Sequence, residues 1–205
     1  NEVVTELLKY NKNLISTKRS AWRSIYGLEV REKGSNSKYQ HLVSDLKLKL
    51  EKELKQGCNR MLNLIDTYLM KRANTAVSKV FYLKCKGDHY RYIAEFTLED
   101  NHEEVAKSSL NSYQQASEAA KALPNSNPIK LGLALNYSVF YYEVMNNPLE
   151  AINIANKAFN EGISNLDNMD ETEYKDSTNI LQLLKENITM WSSDLQEEQN
   201  EDLNQ

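Results

Sequence analysis

The 205 residues carry a formal net charge of −4 and a pI of about 5.5, and 40% of them are hydrophobic. A chain of this length can bury a substantial core, while its acidic balance argues against nucleic acid as a partner, because duplex binding needs a continuous cationic surface. No apolar run is long enough to span a bilayer and the first residues lack the apolar centre of a secretory signal, so we expect no membrane partner and a cytosolic or nuclear location.

The apolar pattern predicts an all-α protein, because helical spacing recurs throughout and no stretch alternates long enough to favour a strand. Only three prolines and six glycines interrupt it. Helices are predicted at 2–31, 38–70, 76–98, 101–122, 128–146, 148–165 and 171–194. Asparagine N-caps before Pro128 and Pro148, and a capping box from Asp170 to Glu173, mark three of the helix starts. We divide the chain into one domain, 1–194, and an acidic tail, 195–205, expected to be disordered.

The first predicted helix carries a pair of cations on one face. Lys12 and Arg19 are seven residues apart, which is two helical turns. Taken alone, Lys12 would be an ordinary surface charge.

The third predicted helix, 76–98, has an apolar face and a charged face. Lys84, Asp88, Arg91 and Glu95 recur at three- and four-residue steps. We therefore expect Lys84 to pair with Asp88 and Arg91 to pair with Glu95. A solvated charge ladder is the alternative interpretation of this stripe.

Two later helices offer apolar residues with an amide beside them. On one helix, Leu135, Val139 and Glu143 recur at four-residue steps with Asn136 beside them. On the other, three- and four-residue steps separate Ile180, Leu183, Asn187 and Trp191. If the four helices converge, they form a groove with one cationic and one apolar wall. Core packing is the alternative for the apolar residues, and a solvated surface is the alternative for the asparagines.

The chain offers little else that points to chemistry. Cys58 and Cys85 lack the spacing of a metal site, so we interpret them as reduced thiols, with a disulfide or metal site as the alternative. The three histidines have no companion at metal-ligand spacing. We predict no cofactor, no metal and no catalytic residue.

Four segments together resemble the 14-3-3 family. They are KNLISTKRSAWRSI at 12–25, VFYLKCKGDHYRYIAE at 80–95, PIKLGLALNYSVFYYE at 128–143 and YKDSTNILQLLKENITMWSSD at 174–194. The resemblance extends from Asn1 to about Asp194. It implies an antiparallel helical array with a concave groove, and a non-enzymatic adaptor that binds phosphorylated serine or threonine of partner proteins and regulates their activity, location or assembly.

The resemblance also implies roles for single residues. Arg19 and Arg91 would bind the phosphate with their guanidinium groups, Lys12 with its ammonium group and Tyr92 with its hydroxyl, while Asp88 and Glu95 would hold the arginines in place. The implied peptide-contacting residues are Lys84, Leu135, Asn136, Val139, Glu143, Ile180, Leu183, Asn187, Met190 and Trp191. For the complete family chain the resemblance implies a homodimer or heterodimer, and the implied contacts in this chain are Ala21, Ile25, Leu28, Leu46, Lys49 and Glu53. Trp22 is interpreted as structural and Arg23 as a cation bordering the pocket.

Some positions depart from the family pattern. Asn1 aligns with the start of the family's third helix, so seven of the usual nine helices are expected in this chain. His89 replaces an aromatic residue and Asn179 stands where an apolar residue is usual, so specificity beside the pocket is expected to differ. A tetratricopeptide-like scaffold for unphosphorylated peptides is the competing function, although the chain lacks that repeat's 34-residue period.

Overall fold

The computed structural model describes residues 2–32, 39–97, 101–166 and 169–203. These residues form seven α-helices, and the all-α prediction is confirmed. The helices are α1 (Glu2–Glu32), α2 (Gln40–Leu64), α3 (Ala76–Ala94), α4 (His102–Ala120), α5 (Pro128–Glu143), α6 (Pro148–Ile163) and α7 (Glu171–Leu203).

The predicted caps are present at the starts of α5, α6 and α7. The Asn127 side chain accepts from the backbone N–H groups of Ile129 and Lys130, and Asn147 accepts from that of Glu150. Asp170 accepts from the backbone N–H of Glu173 at 2.9 Å. Each side-chain oxygen satisfies an N–H that the helix itself cannot satisfy, which fixes where the helix begins.

Several predicted helix ends differ from those of the structure, and the largest differences are at α2, α3 and α7. The second helix was predicted to run to residue 70, but α2 ends at Leu64, and a π-helical segment, Ile65–Leu69, and a 3₁₀ turn, Met70–Arg72, follow it. Helix α3 ends at Ala94, four residues early. The tail predicted to be disordered continues α7 as far as Leu203, because its Leu, Gln and Glu residues favour helix and extend a helix already formed. The predicted turn at 33–36 lies outside the described residues.

The helices pack mainly against their neighbours in the chain. α3 packs on α4, α1 on α2, and α6 on both α5 and α7, while α3 also contacts α2 and α5. One core cluster, centred on Tyr113 and Phe140, joins α3, α4 and α5, and another, centred on Ile15 and Leu54, joins α1, α2 and α3. Helix α3 therefore lies at the centre of the array, in contact with four other helices.

Among the described residues, none of the helices is both long enough and apolar enough to cross a membrane.

Candidate functional site

Helix α3 presents its charged stripe to the protein interior and not to solvent. The stripe's Asp88 and Arg91 are only 5% and 6% exposed, and the adjacent, apolar stripe is buried at Val80, Leu83 and Gly87. The interpretation as a solvated ladder is therefore wrong, because desolvating a carboxylate and a guanidinium is costly unless each finds partners.

Asp88 is the centre of the polar network. Its Oδ2 accepts from Lys84 Nζ at 2.9 Å, as the i,i+4 spacing predicted, while its Oδ1 accepts from Asn136 Nδ2 at 2.8 Å and from the Tyr113 hydroxyl at 2.6 Å. Burial by itself would raise the pKa of Asp88, but Lys84 and Arg91 outweigh it and lower the pKa to about 2. The carboxylate is thus ionised throughout the physiological pH range and joins side chains from α3, α4 and α5.

Arg91 finds partners on other helices. Its Nη1 donates to Glu143 Oε2 at 3.1 Å, and its Nε donates to the Tyr113 hydroxyl at 3.3 Å. The expected pair between Arg91 and Glu95 was wrong. Helical spacing permits that pair, but Glu95 has two stronger partners on α1.

Glu95 binds the cations of α1. Arg19 donates to it from Nε at 2.7 Å and from Nη2 at 2.5 Å, and Arg23 Nη2 donates to the same carboxylate. Burial would raise the pKa of Glu95, but the bonds from Arg19 and Arg23 lower it. Arg23 therefore shares Glu95 with Arg19, and the bidentate contact with Glu95 holds Arg19 in one orientation.

Tyr92 brings the two arginines together. The Arg19 guanidinium carbon lies 3.9 Å from the centroid of the Tyr92 ring and the Arg91 guanidinium carbon lies 5.0 Å from it, which is cation–π distance for both. Lys12, which is exposed, lines a cavity of about 520 Å³ together with Tyr92, Lys84 and Asn136. The four residues predicted to bind phosphate thus lie at one place, between α1 and α3.

The predicted apolar wall is less uniform. Leu135, Val139 and Ile180 are half-buried and pack against a core cluster of α5, α6 and α7. Leu183 and Met190 are 47% and 50% exposed. Leu183 and Met190 therefore expose apolar surface to solvent. The three half-buried residues pack partly against the core and are partly exposed. Asn187 is half-buried on α7.

Two tryptophans have structural contacts. Trp22 is buried and donates from its indole N–H to Glu51 at 3.0 Å. Trp191 is 1% exposed and stacks on Tyr142 with ring centroids 4.9 Å apart. Its contact area therefore belongs to the core, which favours the core alternative for the ring, yet its buried indole nitrogen has no hydrogen-bond partner among the described residues.

The residues implied as dimer contacts lie on α1 and α2. Leu28 and Leu46 are 44% and 46% exposed, Ala21 and Lys49 are exposed, and Ile25 is half-buried. Glu53 is held by Lys18 within the chain.

One contributor to the site was missed from the sequence. Tyr113 was not singled out, although it contacts both Asp88 and Arg91. The sequence held one hint, because a glycine inside a helix, as at Gly87, often marks a close approach of another element.

His89 is 6% exposed and its Nδ1 lies 2.7 Å from the Cys85 carbonyl oxygen, while its Nε2 is buried without a partner in the described part of the chain.

The thiols are free, Cys58 buried and Cys85 only partly so. Burial raises their pKa values to about 12 and about 11, so both stay protonated and unreactive at neutral pH. In the residues that the structure describes, no group of three or more His, Cys, Asp or Glu side chains could hold a metal ion.

Comparison with known proteins places these helices in a recognised group. The family model described as 14-3-3 protein matches residues 2–192. 14-3-3 protein 10 of Solanum lycopersicum is 46% identical over 192 residues, which is 93% of this chain and 76% of the relative. 14-3-3 protein homolog 2 of Schistosoma mansoni is 47% identical over 184 residues, or 89% of this chain and 86% of the relative. 14-3-3 protein 2 of Entamoeba histolytica is 45% identical over 185 residues, covering 90% and 78% of the two chains.

Proposed function

Because this chain belongs to the 14-3-3 family, whose members are non-enzymatic adaptors, we propose that it binds partner proteins at phosphorylated serine or threonine. By holding such a segment, it would regulate the partner's activity, location or assembly. The observation that carries the proposal is the pair of guanidinium groups, from α1 and α3, held over the one ring of Tyr92.

The charge of this pocket matches the proposed ligand. A phosphorylated side chain carries nearly two negative charges at neutral pH and three acceptor oxygens. Six cations line the cavity or pair with the carboxylates at its edge, against three carboxylates, a formal excess of three positive charges. The cations are Lys9, Lys12, Arg19, Arg23, Lys84 and Arg91, and the carboxylates are Asp88, Glu95 and Glu143.

The carboxylates also reduce the entropic cost of binding. Arginine has many rotamers, and each side chain that must be immobilised weakens binding by about 0.5–1.5 kcal/mol. Arg19 is already fixed by two bonds to Glu95, and Arg91 by Glu143 and Tyr113. A phosphate would therefore meet donors already close to their binding orientation.

Beyond the phosphate, we propose that the peptide's main chain meets Asn136 and Asn187. Asn136 donates from its Nδ2 to Asp88, which fixes the orientation of the amide. Its oxygen can then accept a hydrogen bond from an N–H of the peptide. The peptide's apolar side chains would contact Leu135, Val139, Ile180, Leu183 and Met190, with Glu143 and Lys84 beside the phosphate path. Trp191, which is 1% exposed, would support this wall from the core cluster behind it.

The test is calorimetry with a peptide of the form Arg-x-x-phosphoserine-x-Pro and its unphosphorylated twin. We expect only the phosphorylated peptide to bind. Arg19→Ala should weaken binding by about 2–5 kcal/mol, since the dianion loses a charge-assisted donor, whereas Arg60→Ala, at an exposed position on α2, should leave it unchanged. Equal affinity for the two peptides would refute the proposal.

We also propose that the exposed apolar residues of α1 and α2 contribute to a homodimer or heterodimer. Exposed apolar stripes of this kind favour association. Leu46→Asp should weaken self-association roughly tenfold or more, because a carboxylate would be buried in the contact. Leu149→Asp, at a 64% exposed position on α6, is the control. Sedimentation velocity at several concentrations measures the self-association of both variants, and equal behaviour of the two would contradict this placement.

A cytosolic or nuclear location is proposed with this function.

A further inference from the structure

We infer that Tyr113 of α4 is a positioning residue for the phosphopeptide groove, and that its hydroxyl sets the geometry of Arg91 and of the residues held by Asp88. The inference rests on the proposed function, because its effect is on that site. Tyr113 is 0% exposed, so it cannot itself contact a peptide.

The hydroxyl joins two charged groups that form an ion pair but no direct hydrogen bond. The closest approach between Arg91 Nη2 and Asp88 Oδ1 is 3.9 Å, which is beyond hydrogen-bond distance. The Tyr113 hydroxyl donates to Asp88 at 2.6 Å and accepts from Arg91 Nε at 3.3 Å. A phenol has one donor and one acceptor function on the same atom, so it can bridge a carboxylate and a guanidinium.

The Tyr113 hydroxyl affects the groove through two residues that it contacts. The first is Arg91 itself, whose Nε is fixed while Nη1 is directed to Glu143. The second is Asp88, which holds Lys84 from α3 and Asn136 from α5. One buried hydroxyl thus constrains a phosphate-binding cation and two residues that line the cavity.

The ring of Tyr113 is held independently of its hydroxyl. It stacks on Tyr137 with centroids 5.3 Å apart and lies against Phe140 at 5.6 Å. On its other side a Cβ at Gly87 would lie only 2.8 Å from two ring carbons, so the glycine permits the close approach. Tyr113→Phe would therefore keep the ring and remove only the bridge. Burial raises the pKa of Tyr113 well above its usual value, so the hydroxyl keeps its proton at any pH used for binding.

The experiment compares Tyr113→Phe with Tyr137→Phe in the full chain. Tyr137 is a matched control because its ring stacks on Tyr113 while its hydroxyl contacts that of Tyr141, at 3.5 Å. Calorimetry with the phosphoserine peptide should give roughly 2- to 10-fold weaker binding for Tyr113→Phe, since Arg91 regains rotamer freedom that binding must remove. Tyr137→Phe should bind as the wild type does.

A second readout separates positioning from stability. In ¹H–¹⁵N spectra of the peptide-free protein, the Arg91 Nε–H signal should shift and exchange faster with water in Tyr113→Phe but not in Tyr137→Phe. A merely structural role would lower the melting temperature and leave that signal and the affinity unchanged. Gly87→Ala is the second variant, should Tyr113→Phe fold poorly, because it displaces the ring while keeping the hydroxyl and should give the same loss of affinity.

The outcomes distinguish this inference from the proposed function. Wild-type protein that binds both peptides equally would overturn the proposed function and, with it, this role. Wild-type protein that discriminates between the peptides, together with Tyr113→Phe of unchanged affinity and unchanged Arg91 signal, would overturn only the inference. Weaker binding with an altered Arg91 signal supports it.

Discussion

Replacing Gly87 by alanine sets two physical effects against each other. Gly87 lies inside α3, where alanine favours the helix over glycine by about 0.5–1 kcal/mol. The added Cβ, however, would lie 2.8, 2.8 and 3.0 Å from three carbons of the Tyr113 ring. The ring is rigid and enclosed, so it cannot yield as the end of an aliphatic chain would.

The steric effect should prevail. Overpacking a core costs about 1–3 kcal/mol, and a displaced ring also weakens the hydroxyl's bonds to Asp88 and Arg91, which as bonds to charged groups are worth about 1.5–3 kcal/mol each. We expect Gly87→Ala to lower the free energy of unfolding by roughly 1–3 kcal/mol after the gain in helix propensity is subtracted.

Gly132→Ala is the matched control. Gly132 also lies inside a helix, α5, but there a Cβ would meet only Ile180 Cδ1, at 3.9 Å, which is ordinary contact. That variant should be more stable than the wild type by about 0.5–1 kcal/mol. Urea unfolding at 25 °C measures both. If Gly87→Ala proved as stabilising as Gly132→Ala, the close approach between α3 and the Tyr113 ring would be wrong.

Two further predictions concern the groove. Val139→Asp should weaken phosphopeptide binding, because a carboxylate beside the phosphate path adds charge repulsion and a desolvation cost. If the variant has the wild-type circular dichroism spectrum and unchanged affinity, Val139 does not lie in the groove. Asp88 has a folded pKa of about 2 against an ordinary value of 3.8, so it contributes stability that is fully present above about pH 4 and is lost as pH falls through about 2. This contribution is about 2 kcal/mol. Asp88→Asn should therefore show a flatter loss of stability than the wild type between pH 4 and pH 2 in urea unfolding, and parallel curves would contradict the assigned pKa.

The sequence predicted the parts of the site that depend on one helix. Spacing alone identified the Lys84–Asp88 pair and the apolar stripe of α3, because both follow from 3.6 residues per turn. It also predicted helix starts at Asn127 and Asn147, where the side chain and the following proline act locally. Family resemblance, and not spacing, identified Lys12, Arg19, Arg91 and Tyr92 as one group, since these residues lie on two helices whose packing a single sequence does not reveal.

What the sequence could not predict is the choice among partners. Glu95 can reach Arg91 on its own helix, and also Arg19 and Arg23 on α1. In the structure it binds the α1 pair, because Arg19 offers two aligned donors to one carboxylate while Arg91 is directed to Glu143 and Tyr113. The result links α1 to α3 by charge and fixes both arginines at the same ring. A local rule predicts which pairs are possible, whereas the buried partners on neighbouring helices determine which pairs form, and here that selection brings Arg19 and Arg91 together at the ring of Tyr92.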